Sequence, residues 1–534
     1  MVVGSAPLDG ATVSTAILGA LLLISILWDA AFDLRYWAPL TLLALCLLLA
    51  PILAGTLRPP RGALLIATAA IWAIAAYTLL TAAWSASAAL AWEEAARMSF
   101  YAALWTVAAS VGGGGRRSWR TLLAAGLTVG VAAVAVITLV GLLADGPSMF
   151  RAGRLESPLG YRNATAALFA FAVWPLIGYA ARRGGAAPLR GLALASAFLA
   201  LGLAFLTQSR GVVLGLAVGG AVSLAIGPDR LRRAWLAVGL IGTLAAVASQ
   251  LLVPYDAFTA GTLVSTASDV SEATSALLIG CVAVFLVGGF AFVFDNGLRS
   301  RQFEERIRVA GIAGLAVLVL VGAFGALAAV GNPVDYAEEK VREFKDVEPQ
   351  GTPTSTRLAT VGGQRSDLWR VAWLEFRGAP VAGAGVGSYP ADYYLHRRSD
   401  RNLDNPHSLP LKMLGEGGLI GFVLLVAWVL AGAVAVVGGR RARGDGETAW
   451  IAGLASAAAV ILAQCLVDWF WLLPGLFGLA VLAFALAAAP AEESLPPARA
   501  RGIRLVPAAL LAAAAASVAV LFLADFYVRK ARVE

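Results

Sequence analysis

The sequence predicts an all-α fold: a polytopic transmembrane helical bundle of about 12–15 spans with one large extracytoplasmic loop that contains short helices. Three observations predict it. Hydrophobic residues make up 59% and charged residues 14% of the 534-residue chain, against about 45–50% and about 25% in soluble domains. Apolar runs that reach the ~20 residues of a membrane crossing recur along most of the length. Basic residues gather in the short loops between alternate runs, as the positive-inside rule requires.

Taken in order, the runs fall near 13–30, 37–56, 63–83, 96–112, 121–144, 163–180, 189–206, 211–227, 234–252, 273–295, 309–331, 410–437, 449–469, 472–489 and 505–526, fifteen in all. The first has no basic residue before it and others follow it, which predicts an anchor and not a cleaved signal. The loops "LRPPRG" (57–62), "GGGRRSWR" (113–120), "ARRGGAAPLR" (181–190), "PDRLRR" (228–233), "NGLRSRQFEERIR" (296–308), "GGRRARGDGE" (438–447) and "PPARARGIR" (496–504) are all basic. Each follows an even-numbered span, which puts them in the cytoplasm. The outward loops "WSASAALAWEEAA" and "VPYDAFTAGTLVSTASDVSE" contain no Lys or Arg, although the same count puts the basic tail "YVRKARVE" outside. The chain divides into N-terminal transmembrane helices (1–144), central transmembrane helices with outward arginine loops (145–331), the large extracytoplasmic loop (332–409) and C-terminal transmembrane helices (410–534). No internal repeat is found.

A net charge of +8 spread over short loops suits a membrane surface, and no nucleic-acid partner is read. Cys46, Cys281 and Cys465 fall inside apolar runs and read as small buried hydrophobes without disulfide or metal-ligand spacing. No cluster of Asp, Glu or His has metal-ligand spacing, so neither a metal nor another cofactor is assigned.

The loop opens with a charged, helix-like piece, "DYAEEKVREFKDVE", followed by a Pro/Thr/Gly linker and then "RSDLWRVAWLEFRGAP". There Leu368, Trp369, Ala372, Trp373 and Phe376 recur at helical spacing, Arg370 and Arg377 lie on the other side, and Gly378 with Pro380 ends the helix. The glycines of "AGAGVGSY" (382–389) lack the strand before and helix after of a dinucleotide fingerprint and predict a tight turn.

Two outward loops break the charge rule. "DGPSMFRAGRLESPLGYR" carries Arg151, Arg154 and Arg162, and the short turn "TQSRG" carries Arg210 between two apolar runs. A guanidinium at the edge of hydrocarbon is costly unless it faces a cavity or a partner, and its planar fork suits phosphate oxygens. Snorkelling to lipid headgroups is the plain alternative; it suits Arg151 better than Arg210, whose turn is too short to leave the interface. His407 is one of two histidines. On spacing alone a surface imidazole beside a Pro turn explains it as well as a general base does. Its place at a membrane re-entry, opposite outward arginines, favours the base. Glu416 reads equally as a base or as a residue that orients its helix in "GEGG". His396, in a solvated basic run, is assigned nothing. In "VDWFWLLPG" (467–475) the aromatics read as an interfacial belt, and Asp468 as the partner of an arginine that the sequence does not select.

These motifs, in this order, resemble the O-antigen ligase/polymerase superfamily of bacterial membrane glycosyltransferases. The family pattern of a loop His, a Glu nine residues later and two spaced glycines matches His407, Glu416, Gly418 and Gly421. Its Arg and Trp on a short helix, Pro, and Gly-rich turn ending in an aromatic match Arg365, Trp369, Pro380, Gly383, Gly385 and Tyr389. Ser209, Arg210 and Gly211 match its Ser-Arg-Gly, and Asn163 its helix start. Ser408 stands where many members carry Asn.

The resemblance implies a metal-independent, inverting glycosyltransferase in the cytoplasmic membrane with its active site on the extracytoplasmic face. The donor would be an undecaprenyl-diphosphate-linked glycan and the acceptor a hydroxyl on a glycan, a lipid or a protein. His407 would be the base. Arg210 and Arg365, with Arg162 and Arg154 behind them, would hold the donor diphosphate. Glu416, Ser408 and Trp369 would support them. A polymerase of the same superfamily is the alternative, as is a transporter or flippase of anionic lipid-linked sugars. A transporter would use the arginines but need no base, and often shows internal repeats.

Overall fold

The computed structural model describes residues 9–111, 119–183, 185–261, 265–297, 301–345, 365–399, 403–440, 445–490 and 501–533. The linker at 349–364 and parts of the basic loops at 113–120, 296–308, 438–447 and 496–504 lie outside the described residues. Most of the described chain is helical. In chain order the helices are α1 (Gly10–Ser25), α2 (Leu34–Ala54), α3 (Gly62–Leu80), α4 (Ala88–Ala109), α5 (Trp119–Asp145), α6 (Arg162–Ala180), α7 (Ala187–Leu206), α8 (Arg210–Ile226), α9 (Arg230–Ala246) and α10 (Ala248–Thr259). They continue as α11 (Ala267–Gly297), α12 (Arg301–Val330), α13 (Pro333–Lys345), α14 (Arg365–Gly378), α15 (Tyr389–His396), α16 (Leu409–Gly439), α17 (Asp445–Gln464), α18 (Pro474–Ala488) and α19 (Arg501–Val533). A two-residue hairpin, β1 (Phe150–Arg151) with β2 (Arg154–Leu155), is the sheet among the described residues.

All fifteen apolar runs are helical, but ten helices among the described residues are long and apolar enough to cross a membrane, or eleven if α9 and α10, bent by 49°, form one span. For three of the remaining runs the physical reason is local. α4 carries Glu93, Glu94 and Arg97, while α8 has 17 residues and α18 only 15. α4 and α18 instead fill the middle of the bundle. Every residue of α18 is buried, and so is α4 from Phe100 to Ala109. Around them α17 packs on α6, α8 and α18, α16 on α3, and α19 on α2.

The loops that the charge rule groups together meet at one end. Ser110 donates to the carbonyl of Arg58, Arg120 pairs with Glu447 at 2.8 Å, and Arg504 lies over Gly55. At the opposite end are the turns before α4, α6 and α8, the 365–409 segment and the α17–α18 connection. The basic tail belongs there too: Arg529 reaches Asp33 at 2.7 Å, so the count that placed the tail away from the other basic segments agrees with the fold. Of the cysteines only Cys465 is buried; Cys46 is exposed and Cys281 half-buried.

Candidate active site

The site is assembled where α16 leaves the loop. Asn405 Oδ1 accepts the His407 N–H at 3.1 Å, closing an Asx turn that holds His407 at φ +52°. That left-handed conformation is uncommon outside glycine, and asparagine, aspartate and histidine adopt it most readily of the rest. Buried Ser408 is the N-cap of α16, and the Leu409 N–H donates to the carbonyl of Cys465 at 2.8 Å, which pins the turn to the end of α17. The imidazole is half-buried, and its Nδ1 lies 3.2 Å from the Asn405 carbonyl. A carbonyl only accepts, so Nδ1 carries the proton and Nε2 presents its lone pair. Burial lowers the His407 pKa, with Asp468 opposing the shift, so the ring is neutral at pH 7.

Asp468 is the partner that the sequence left unselected. It is 2% exposed and accepts from Arg365 Nη2 at 3.2 Å, the Tyr161 hydroxyl at 2.7 Å, Asn163 Nδ2 at 2.6 Å and the Trp469 N–H at 2.9 Å. Burial and the adjacent carboxylate keep the Tyr161 phenol well above its usual range, so it donates. The Trp469 ring stacks on Tyr161 with centroids 4.8 Å apart and meets His407 edge-on at 6.3 Å. The belt reading of "VDWFWLLPG" is therefore corrected. Phe470 and Trp471 are fully buried, and Asp468 and Trp469 form the floor of the site. No motif reading found Tyr161; its signal was its place beside the Asn163 helix start.

The arginines divide. Arg365 and His407 converge on Asp468 and Trp469. Arg162, between Tyr161 and Asn163, lies 3.5 Å from Glu156. Arg210 begins α8, whose next residue, Gly211, faces Gln464 and Val467 at the end of α17, so its turn borders the same segment. Arg154 is buried in β2, which packs on α6 and α7, and its side chain makes no ion pair among the described residues.

Glu416 orients its surroundings. One oxygen accepts the Gly387 and Tyr389 amides at 2.9 and 3.2 Å, and the other pairs with Lys412 at 2.5 Å. The predicted tight turn exists: Gly383, Gly385 and Gly387 have φ of +74°, +97° and +91°. A Cβ on Gly385 would come within 2.6 Å of Ser85 Cα, because the Tyr77, Trp84 and Ser85 side chains clasp the turn by hydrogen bonds to Ala382, Gly383 and Val386. At Gly418, with φ +62° and ψ −164°, α16 breaks, and the Leu419 and Ile420 amides donate to the carbonyls of Pro380 and Val381.

α14 is rotated from the predicted stripe. Its buried face is Asp367, Leu368, Val371, Ala372 and Glu375, while Trp373 is 49% exposed. Asp367 holds Arg370 at 2.6 Å and the Arg398 amide at 2.9 Å. Trp369, one turn after Arg365, packs against Phe344 of α13. Burial, with Glu416 and Asp392 nearby, pushes Glu375 up to about 10.

Residues 256–426 match the family model described as O-antigen ligase, a segment that includes Arg365, the glycine turn, His407 and Glu416. No curated protein compared with the chain matches it. At family level such proteins are inner-membrane glycosyltransferases that join a lipid-linked glycan to a glycan acceptor. That match, over the part of the chain that carries Arg365, His407 and Glu416, supports the resemblance to the O-antigen ligase/polymerase superfamily.

Proposed function

We propose that the protein transfers a glycan from an undecaprenyl-diphosphate carrier to an acceptor hydroxyl on the outer face of the cytoplasmic membrane. The observation that carries this reading is the convergence of His407 and Arg365 on Asp468, next to the turn that bears Arg210. The acceptor oxygen attacks the anomeric carbon as its bond to the diphosphate breaks, which inverts the configuration. The hydroxyl proton passes to His407 Nε2, the ring nitrogen that carries no proton. Charge grows on the departing diphosphate, and fixed guanidinium donors stabilise it most where it develops. Arg365 is preorganised for this by Asp468 and keeps about a quarter of its side chain open. Arg210, on the turn beside the end of α17, and Arg162, between Tyr161 and Asn163, would assist it, with Arg154 as a further candidate. The outward orientation rests on the charge rule, since the basic loops gather at the far end of the bundle.

Donor binding and glycan transfer measured on the same purified variants in nanodiscs test the reading. Arg365→Ala is expected to weaken donor binding, and His407→Ala to leave it near normal while transfer collapses. Wild-type transfer by His407→Ala overturns the assignment of the base.

A further inference from the structure

A cavity of about 770 Å³ lies between α2, α3, α4 and α19, away from His407. Leu48, Ile52, Trp72, Leu79, Trp92 and Leu511 give it an apolar wall. Along α19 it runs from Arg504 to Val518, roughly 21 Å at 1.5 Å per residue. That exceeds the roughly 15 Å of one hydrocarbon leaflet. Towards the site end, the Trp92 indole donates to Ser517 Oγ at 2.5 Å across it.

Its other end is basic. Arg504 lies over Gly55, and Pro59 and Pro60 line both this cavity and a second one of about 410 Å³ bordered by Arg58 and Arg61. Arg58 Nη1 is buried without a hydrogen-bond partner, and the residue's ion pair with Asp9 is long, at 3.9 Å. α3 starts in the same loop, with Arg61 at its N-cap and no side-chain cap, so its first amides are presented to whatever occupies the loop.

An apolar slot at least one leaflet deep that ends in guanidinium groups and an uncapped helix N-terminus has the chemistry of a phospholipid site. Basic pockets between membrane helices on the cytoplasmic side take anionic headgroups. We propose that this cavity binds one anionic phospholipid, an acyl chain in the slot and the phosphate among Arg58, Arg61, Arg504 and the start of α3. The lipid fastens α19, whose span is only 11% buried inside the protein, to the rest of the bundle.

The test is thermal denaturation of the full-length protein in detergent with phosphatidylglycerol, phosphatidylcholine or inorganic phosphate added. Phosphatidylglycerol is expected to raise Tm by about 2 °C or more, and the other two to leave it unchanged. The Arg58→Ala/Arg504→Ala double variant should lose that shift. So should Ala76→Phe, which narrows the slot with every arginine in place and decides the matter if the double variant does not fold. An equal response to phosphatidylcholine, a shift reproduced by phosphate alone, or an undiminished shift in Ala76→Phe overturns the proposal.

Discussion

Arg365 and Asp468 lie 103 residues apart in the chain and meet at 3.2 Å, tying the first turn of α14 to the α17–α18 connection. The pair joins the two parts of the site, and its removal has a measurable cost. Asp468→Ala leaves Arg365, Tyr161 and Asn163 without their shared acceptor. Breaking a fully buried pair costs about 3–5 kcal/mol; roughly 2–4 kcal/mol is expected here, because Arg365 retains solvent contact. Asp468→Asn should fold better but bind donor more weakly than wild type. Thermal denaturation and donor titration on both variants check this, and wild-type donor affinity in a folded Asp468→Asn refutes it.

The pH dependence follows from His407. Its pKa is lowered by burial, so transfer should persist below pH 6.5 and fall only as pH drops through that lowered value. The unfolded chain binds this proton more readily than the native protein does, so stability also declines on acidification below about 6.5. In His407→Ala, residual transfer should be lower by ~10²–10⁴ and lack that acid limb. A persisting acid limb would assign it to another group.

Arg210→Lys keeps the charge but loses the planar fork, and should lose most transfer activity. Chelators should leave the purified wild-type enzyme unchanged, as a metal-independent transfer requires. Strong inhibition by EDTA counts against that mechanism.

The two buried glutamates near the glycine turn should behave differently. Glu416→Ala removes the acceptor of two amides and strands Lys412, which should cost about 3–5 kcal/mol. If Glu416 only orients the turn, the variant's residual activity should keep the wild-type pH profile. Glu375, raised to about 10, is uncharged at neutral pH, and Glu375→Gln should fold normally. Because the native state holds this proton more tightly than the unfolded chain, Glu375 stabilises fully below about 4.5 and loses that contribution as pH rises towards 10. Tm measured against pH should be flatter for Glu375→Gln, and an unaltered slope sinks the assignment.

Orientation is tested with a membrane-impermeant thiol reagent in a background without the three native cysteines. Tyr394→Cys should label in intact cells and Arg183→Cys only after permeabilisation. The reverse pattern turns the whole protein over.

Most of the bundle is legible in the sequence because hydrocarbon demands long apolar helices, and no pattern of side chains disguises those. What misleads is polarity buried inside protein. Glu93, Glu94 and Arg97 neutralise one another in α4, and Asp367 with Glu375 turns the inner face of α14 away from its apolar stripe. His407, Arg365 and Glu416 are visible because their spacing is local. Asp468 finding Arg365, and Tyr161 joining them, are products of packing between elements 103 and 307 residues apart, pairings that one sequence does not select.

The break at Gly418 means that the segment before α16 is not a domain that could be detached from the bundle. Inside hydrocarbon an unsatisfied amide costs several kcal/mol, and the carbonyls that spare Leu419 and Ile420 that cost belong to Pro380 and Val381 of the loop. In return, the Ala384 and Gly385 amides donate to the carbonyls of Gly415 and Glu416. Cut free, the 365–409 segment would lose the lattice that shapes its glycine turn. Antibodies or inhibitors selected against it as a peptide would then be selected against a shape that the intact protein never displays.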